Sequence, residues 1–312
     1  MGTVGEDGER SMPSSWINKL ERPIGFVFAG GASLGAAQVG MARALVEAGI
    51  EPDMIVGTSV GALNGSFLAQ EFSASKVEEL QSVWQGLTRE TVFPGISLMR
   101  AIRWVAGGTH HLASKEGIER LVESYLPRSH AELDVPTTVV ASDLVSGDKV
   151  LLSEGDLRKN VVASASIPFV FEPATDDDRM LVDGGVTSNV PVVPARQSGA
   201  ESLIVLDPGY PCALDQVPDD LLGFSMHILT LMIRHQSYGA LHFLAEDSPI
   251  VYLPPPCPVD VPPHEFHRSD ELIEAGYNRA VEFLDGLSID GPGIYGHPHY
   301  HGEAAEFGVA TS

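Results

Sequence analysis

The stretch Gly57-Thr58-Ser59-Val60-Gly61 stands between the apolar run Met54-Ile55-Val56 and the helix-like run Ala62 to Ala69. That order requires a strand to turn sharply into a helix. A serine at the tip of such a turn needs a residue without Cβ two positions before it and two after, because side chains there would strike the strand and the helix. The pattern predicts an exposed Ser59. It also aims the first N–H groups of the following helix, and the positive end of its dipole, at whatever the serine attacks.

Two further glycine loops follow probable strands. Gly30-Gly31-Ala32-Ser33-Leu34-Gly35 comes after Ile24 to Ala29, and Asp183-Gly184-Gly185 after Met180-Leu181-Val182, with Asn189-Val190-Pro191 shortly beyond. Successive glycines leave N–H groups uncovered, which suits a negatively charged oxygen. With Ala163-Ser164-Ala165-Ser166-Ile167-Pro168 between them, these motifs make the chain resemble the patatin-like phospholipase family of serine lipid acyl hydrolases. The family's GGGxRG maps onto Gly30 to Gly35, its GxSxG onto Gly57 to Gly61, its DGG or DGA onto Asp183 to Gly185, and its Ser-rich segment ending in proline onto Ala163 to Pro168. Ala32 replaces the third glycine and Leu34 the usual Arg or Lys, so a cation near the loop is missing.

The resemblance implies a three-layer α/β/α fold with a mainly parallel central sheet. It also implies a Ser59–Asp183 dyad in which the carboxylate takes the serine proton directly, without a cofactor or a metal. Backbone N–H groups of Gly30, Gly31 and Ala32 would form the oxyanion hole, with Val60 as a further candidate. Gly35, Gly57, Gly61, Gly184 and Gly185 would support the loops. The expected substrate is a lipid or another acyl ester, with transient contact at a membrane surface as a candidate interaction. A carboxylate of ordinary pKa, about 4, is a weak base for this work, so Asp183 must rely on burial and on strong oxyanion stabilisation. A Cβ at position 32 is harmful only if φ there is positive.

Length and 44% hydrophobic content allow one sizeable α/β domain. A boundary between the three loops would split the site, so the expected organisation is a flexible leader over 1–20, one acyl hydrolase domain over 21–288, and a flexible His/Gly/Pro-containing tail over 289–312. The net charge of −23 disfavours nucleic acid and strongly anionic membranes. No secretion signal is legible in Met1 to Ser15, and Cys212 and Cys257 read as reduced thiols, so the expected location is cytoplasmic. The uncharged run Ile24 to Ala42 is punctuated by five glycines and reads as strand, loop and buried helix rather than a membrane span.

Periodicity predicts a helix over Gly35 to Gly49 and amphipathic helices around Val77 to Leu87 and Ile118 to Leu126. Pro94 to Gly108 reads equally as a mobile cover or a buried connection. Pro136 to Leu144 and Lys149 to Ser153 predict a hairpin at a sheet edge, and Phe169 to Glu172 with Arg179 to Val182 another pair, the aspartates 176–178 forming a solvated turn. Ser202 to Asp207 is a buried strand. Asp219 to Glu246, apolar on more than one face, reads as a helix packed on the sheet with part of its surface lining an acyl pocket. A last helix capped by Ser269 runs to Leu284, and His297 to His301 reads as a flexible end. Three other readings stay open: an α/β-hydrolase esterase whose triad uses His264 or His267, a dinucleotide-binding loop at Gly30 to Gly35, and a regulatory relative without turnover.

Overall fold

The computed structural model describes residues 16–94, 112–212, 214, 216–234 and 238–298. Most of the segment considered as a cover, and residues 299–301 of the histidine tract, lie outside them. Among the described residues nine strands form one sheet: β1 (Ile24–Phe28), β2 (Met54–Thr58), β3 (Thr137–Asp143), β4 (Lys149–Leu152), β5 (Ala174–Asp176), β6 (Arg179–Asp183), β7 (Ser202–Leu206), β8 (Pro249–Leu253) and β9 (Gly293–Tyr295). The order is β5-β6-β3-β2-β1-β7-β8-β9, with β4 beside β3. Pairings from β3 through β2, β1, β7 and β8 to β9 are parallel, and those of β4, β5 and β6 are antiparallel.

A parallel strand in the middle of a sheet is buried on both faces, which its sequence records as an unbroken apolar run. In β1, Phe26 and Phe28 belong to one core while Val27 and the following Ala29 belong to the other. In β7, Ile204 and Leu206 oppose Leu203 and Val205 in the same way. Helices cover both sides, and the result is a three-layer α/β fold with a mainly parallel sheet. Helix α1 (Ala36–Glu47) crosses the helix Ser269–Asp285 so closely that a Cβ on Gly40 would overlap the Ile273 carbonyl.

Several expectations need correction. Within the expected leader, Trp16 and Leu20 are buried in the larger core. Within the expected tail, Ile289 is buried and β9 adds a parallel strand to β8. Polar and glycine-rich composition concealed a strand that needs only three residues. The β3–β4 hairpin exists, but β3 also pairs with β2 and β6, so of the hairpin's two strands β4 alone lies at an edge. The second antiparallel pair is β5 with β6; Phe169–Glu172 is not a strand. Of the three aspartates, Asp177 and Asp178 form the expected exposed turn, whereas Asp176 sits in β5 and pairs with Arg179. Ser269 does not cap its helix; its hydroxyl donates to the Phe266 carbonyl at 2.6 Å. Asp219 to Glu246 contains two helices, Leu221–Arg234 and Tyr238–Ala245.

The sheet reverses direction of growth at β1, with β2 on one side and β7 on the other. Ligands in open α/β sheets bind at such a point, beyond the carboxyl ends of the strands. Here the gap is spanned by buried amides. Gln38 Nε2 donates to the carbonyls of Ala29 (2.7 Å) and Leu206 (2.9 Å), and its Oε1 accepts from Asn64 Nδ2 (2.9 Å). Asn64, on helix α2 (Val60–Leu68), also donates to Gly35 O (3.0 Å) and accepts from Trp84 Nε1 (3.0 Å), on helix α3 (Ala74–Gly86). Asn64→Ala would strand an indole N–H and two acceptors in the core. The expected result is a loss of about 3 kcal/mol of stability, read from urea unfolding; a loss below about 1 kcal/mol would show that water or neighbours replace the amide.

Candidate active site

Ser59 leaves β2 with φ 55° and ψ −125°, a conformation that costs a non-glycine residue on the order of 1–3 kcal/mol. The surroundings hold it there. A Cβ on Gly57 would lie 2.6 Å from Ala62 Cα, and one on Gly61 would overlap the Phe28 carbonyl, so only glycine lets α2 fold back this tightly against β1 and β2. Ser59 N–H donates to Ser164 Oγ at 2.8 Å, and that hydroxyl donates to Val140 O at 2.5 Å. Ser164, the last residue of the helix Leu157–Ser164, therefore props the elbow from below.

Ser59 Oγ donates to Asp183 Oδ2 at 2.6 Å, and the second carboxylate oxygen accepts from Gly185 N–H at 2.7 Å. Asp183 ends β6, where its own N–H donates to Ser166 O at 2.9 Å and its carbonyl accepts from Ser142 Oγ at 2.9 Å. Ser59 is not exposed, as the elbow alone predicts, but 6% accessible, and Asp183 is 5% accessible. Burial withdraws water from the carboxylate and raises its pKa from 3.8 to about 6; the hydrogen bonds from Ser59 and Gly185 oppose the rise. Among the described residues no histidine is bonded to Ser59 or Asp183. His264 lies instead 3.7 Å from Asp220, and His267 3.0 Å from Glu265.

The glycine loop after β1 lies against this pair. Gly30 N–H donates to Asn189 O at 3.0 Å and Gly30 O accepts from Asn189 Nδ2 at 3.3 Å, a two-point clamp. The expectation that Gly30 offers a free N–H is therefore corrected: that donor is committed within the fold. Among the described residues nothing accepts from the N–H groups of Gly31, Ala32 and Val60. The loop is pinned further by Ser33, whose N–H and Oγ donate to Pro263 O and Pro262 O, both at 3.1 Å. Asn189 stood out in the sequence only as a neighbour of the Asp183 loop, and Ser164 only as part of a motif. Their roles depend on contacts across the sheet.

Two cavities meet at Ser59, sharing Ala32, Ser59 and Ile167 as their common floor. One is almost wholly apolar, walled by Leu63, Phe67, Trp84, Phe93, Phe171 and Phe266. The other is mixed, with Asp183, Asn189, Asp207, Thr230 and Tyr252 among its walls, and Leu34, Met226, Leu229 and Ile233 beside them. Asp207, just beyond β7, accepts from the Tyr252 hydroxyl and from Gly209 N–H, and burial of its carboxyl raises its pKa against those bonds.

A serine on a strained strand-to-helix turn, bonded to a buried carboxylate beside a glycine loop, defines the class: a mainly parallel α/β protein with a serine–carboxylate site. The patatin-like phospholipase profile matches residues 26–196. The chain belongs to that family. It is 32% identical over 188 residues to patatin-like phospholipase domain-containing protein 7 of Rattus norvegicus, covering 60% of this chain and 14% of the relative. It is 25% identical over 303 residues to lysophospholipase nte1 of Aspergillus terreus, covering 86% of this chain and 18% of the relative. The chain thus spans less than a fifth of the length of these relatives. VipD from Legionella pneumophila, a crystal structure, superposes with a TM-score of 0.45 at 14% identity, covering 85% of this chain and 67% of that one.

Ala32, where the family pattern has glycine, has φ 50°, in the left-handed region. Ala32→Gly should relieve a strain of about 1 kcal/mol and raise the urea midpoint accordingly. An unchanged midpoint would show that packing of the Ala32 methyl compensates for the strain.

Proposed function

We propose that the chain is a serine hydrolase that cleaves carboxylic esters of lipids through a Ser59–Asp183 dyad. The observation that carries this reading is the 2.6 Å bond from Ser59 Oγ to a carboxylate whose pKa lies at about 6. Such a group is ionised at neutral pH yet more basic than an exposed aspartate. Ser59 Oγ attacks the ester carbonyl carbon as its proton passes to Asp183. The resulting oxyanion is met by the N–H groups of Gly31, Ala32 and Val60, each worth roughly 3 kcal/mol in the transition state. Collapse breaks the bond to the alcohol oxygen, which takes the proton from Asp183. Water then gives a proton to Asp183, attacks the acyl carbon and releases the acid, returning Ser59 Oγ its proton.

The apolar cavity suits the acyl chain and the mixed cavity the alcohol portion. The lysophospholipase name of the fungal relative supports a lipid substrate. Among the described residues no helix is long and apolar enough to cross a membrane; the proposed approach to lipid is from the surface.

Ser59→Ala should lower kcat/KM on a soluble acyl ester by about a thousandfold or more while the protein stays folded, and Asp183→Asn should do the same. Labelling by a fluorophosphonate at Ser59, lost in Ser59→Ala, locates the nucleophile. A folded histidine variant equally dead would instead establish a triad.

The pH profile gives an independent check. Asp183 must be ionised to accept the proton, so kcat/KM should rise with pH through about 6, not through about 4. The stability sign is opposite. A carboxyl whose folded pKa exceeds its unfolded value of 3.8 stabilises the fold fully below that value, and the contribution disappears as pH rises through about 6. Relative to Asp183→Asn, wild type should therefore gain stability as pH falls from 8 to 5, measured in parallel urea titrations; a constant difference would show an unshifted carboxyl.

With net charge −23 and Leu34 in place of a cation, zwitterionic vesicles should be hydrolysed faster than anionic ones, and added salt should narrow the gap. Faster turnover of anionic vesicles at low salt would reveal a basic patch that the total charge conceals.

A further inference from the structure

The helix Leu221–Arg234 carries two apolar stripes. Met226, Leu229, Thr230 and Ile233 line the mixed cavity that reaches Ser59. Leu221, Phe224, Ile228, Leu231 and Met232, repeating at three- and four-residue steps, face away from it and are exposed, Met232 to 66%. The next helix, Tyr238–Ala245, buries Leu241 and exposes Phe243 to 72%. Val217, just before the first helix, is 61% exposed. In a chain of net charge −23, residues 221–233 contain no Asp, Glu, Lys or Arg. A soluble surface rarely gathers this many large apolar side chains without an occupant.

We infer that this face is the docking surface for a zwitterionic lipid layer, with the outer stripe of Leu221–Arg234 and Phe243 entering the boundary between head groups and acyl chains. The inference rests on the lipid-ester reading for its purpose, because the same helix is one wall of the cavity that leads to the nucleophile. Whatever covers the outer stripe therefore lies within one helix diameter, about 10 Å, of the cavity that would receive a lipid's alcohol portion. Charge selects the occupant. The uncharged stripe can enter an apolar boundary without desolvating an ion, and the acidic remainder of the molecule disfavours anionic head groups. A protein partner or a second copy would also cover apolar surface, but neither would explain why the stripe backs onto a cavity ending at Ser59.

The test is flotation of the full chain with phosphatidylcholine vesicles, compared with the triple variant Phe224→Gln, Met232→Gln, Phe243→Gln. None of the three residues lines either cavity. Wild type should float with the vesicles, and the triple variant should bind about a hundredfold more weakly. Both should hydrolyse a short-chain ester in free solution at equal rates, with equal far-ultraviolet circular dichroism. Wild type that fails to bind, or a triple variant that binds as wild type does, overturns the inference. So does wild type that is dimeric in solution, with the triple variant monomeric, since the face would then be an interface between copies. Vesicle binding lost in the triple variant, together with no ester hydrolysis by either protein, would keep the surface and remove the hydrolase reading.

Discussion

The side-chain amide of Gln38 ties together the two strand ends at the point where the sheet reverses its direction of growth. At the point where strand order reverses, β1 and β7 end side by side, with Ala29 N–H donating to Leu206 O at 3.1 Å, and one side chain of α1 reaches the carbonyls at both ends. Gln38 donates to both, Ala29 and Leu206, and hands its own oxygen to Asn64. Through Asn64 the same network reaches Gly35, at the end of the glycine loop, and α2, which begins behind Ser59. The loop and Ser59 are thus referenced to one buried set of hydrogen bonds, in surroundings where an unmade bond is expensive and a made one is rigid.

Rigidity of this kind explains how a strained serine persists. The backbone of Ser59 would relax if the elbow could open, but Ser164 binds its N–H and is itself anchored to Val140. The segment that supplies Ser164 also accepts from the N–H groups of Asp183 and Gly184. One short stretch thus positions both members of the pair, and the distance between them is fixed without either member carrying the load. The burial that raises the Asp183 pKa follows from the same enclosure. Basicity and geometry share a cause, and a change that loosened the enclosure would weaken both.

Much of this was legible in the chain. The Gly57 to Gly61 run gave the elbow because steric exclusion of Cβ is a local rule, and β1, β2, β7 and α1 followed from apolar runs bounded by glycine. Local rules end where partners are distant. Nothing near Gly30 announces that its N–H belongs to Asn189, 159 residues away. Nothing near Gln38 or Asn64 announces a buried role for polar residues on an apolar helix. The strand β9 is not legible, because pairing with β8, not its own propensity, makes it a strand. The apolar stretch from 219 to 246 is legible, but its exposed stripe is not, since sequence periodicity records an apolar face without recording what lies against it.

In the proposed mechanism, the shared floor of the two cavities bears on the fate of an acyl group carried by Ser59. If the chain lies in the apolar cavity, the departing alcohol leaves through the mixed one, and the next acceptor enters by the same passage. Water and any alcohol then compete for one doorway, bordered by Thr230, Asp207 and Tyr252. The ratio of hydrolysis to acyl transfer becomes a matter of occupancy in that passage, governed by residues that never touch the carbonyl carbon.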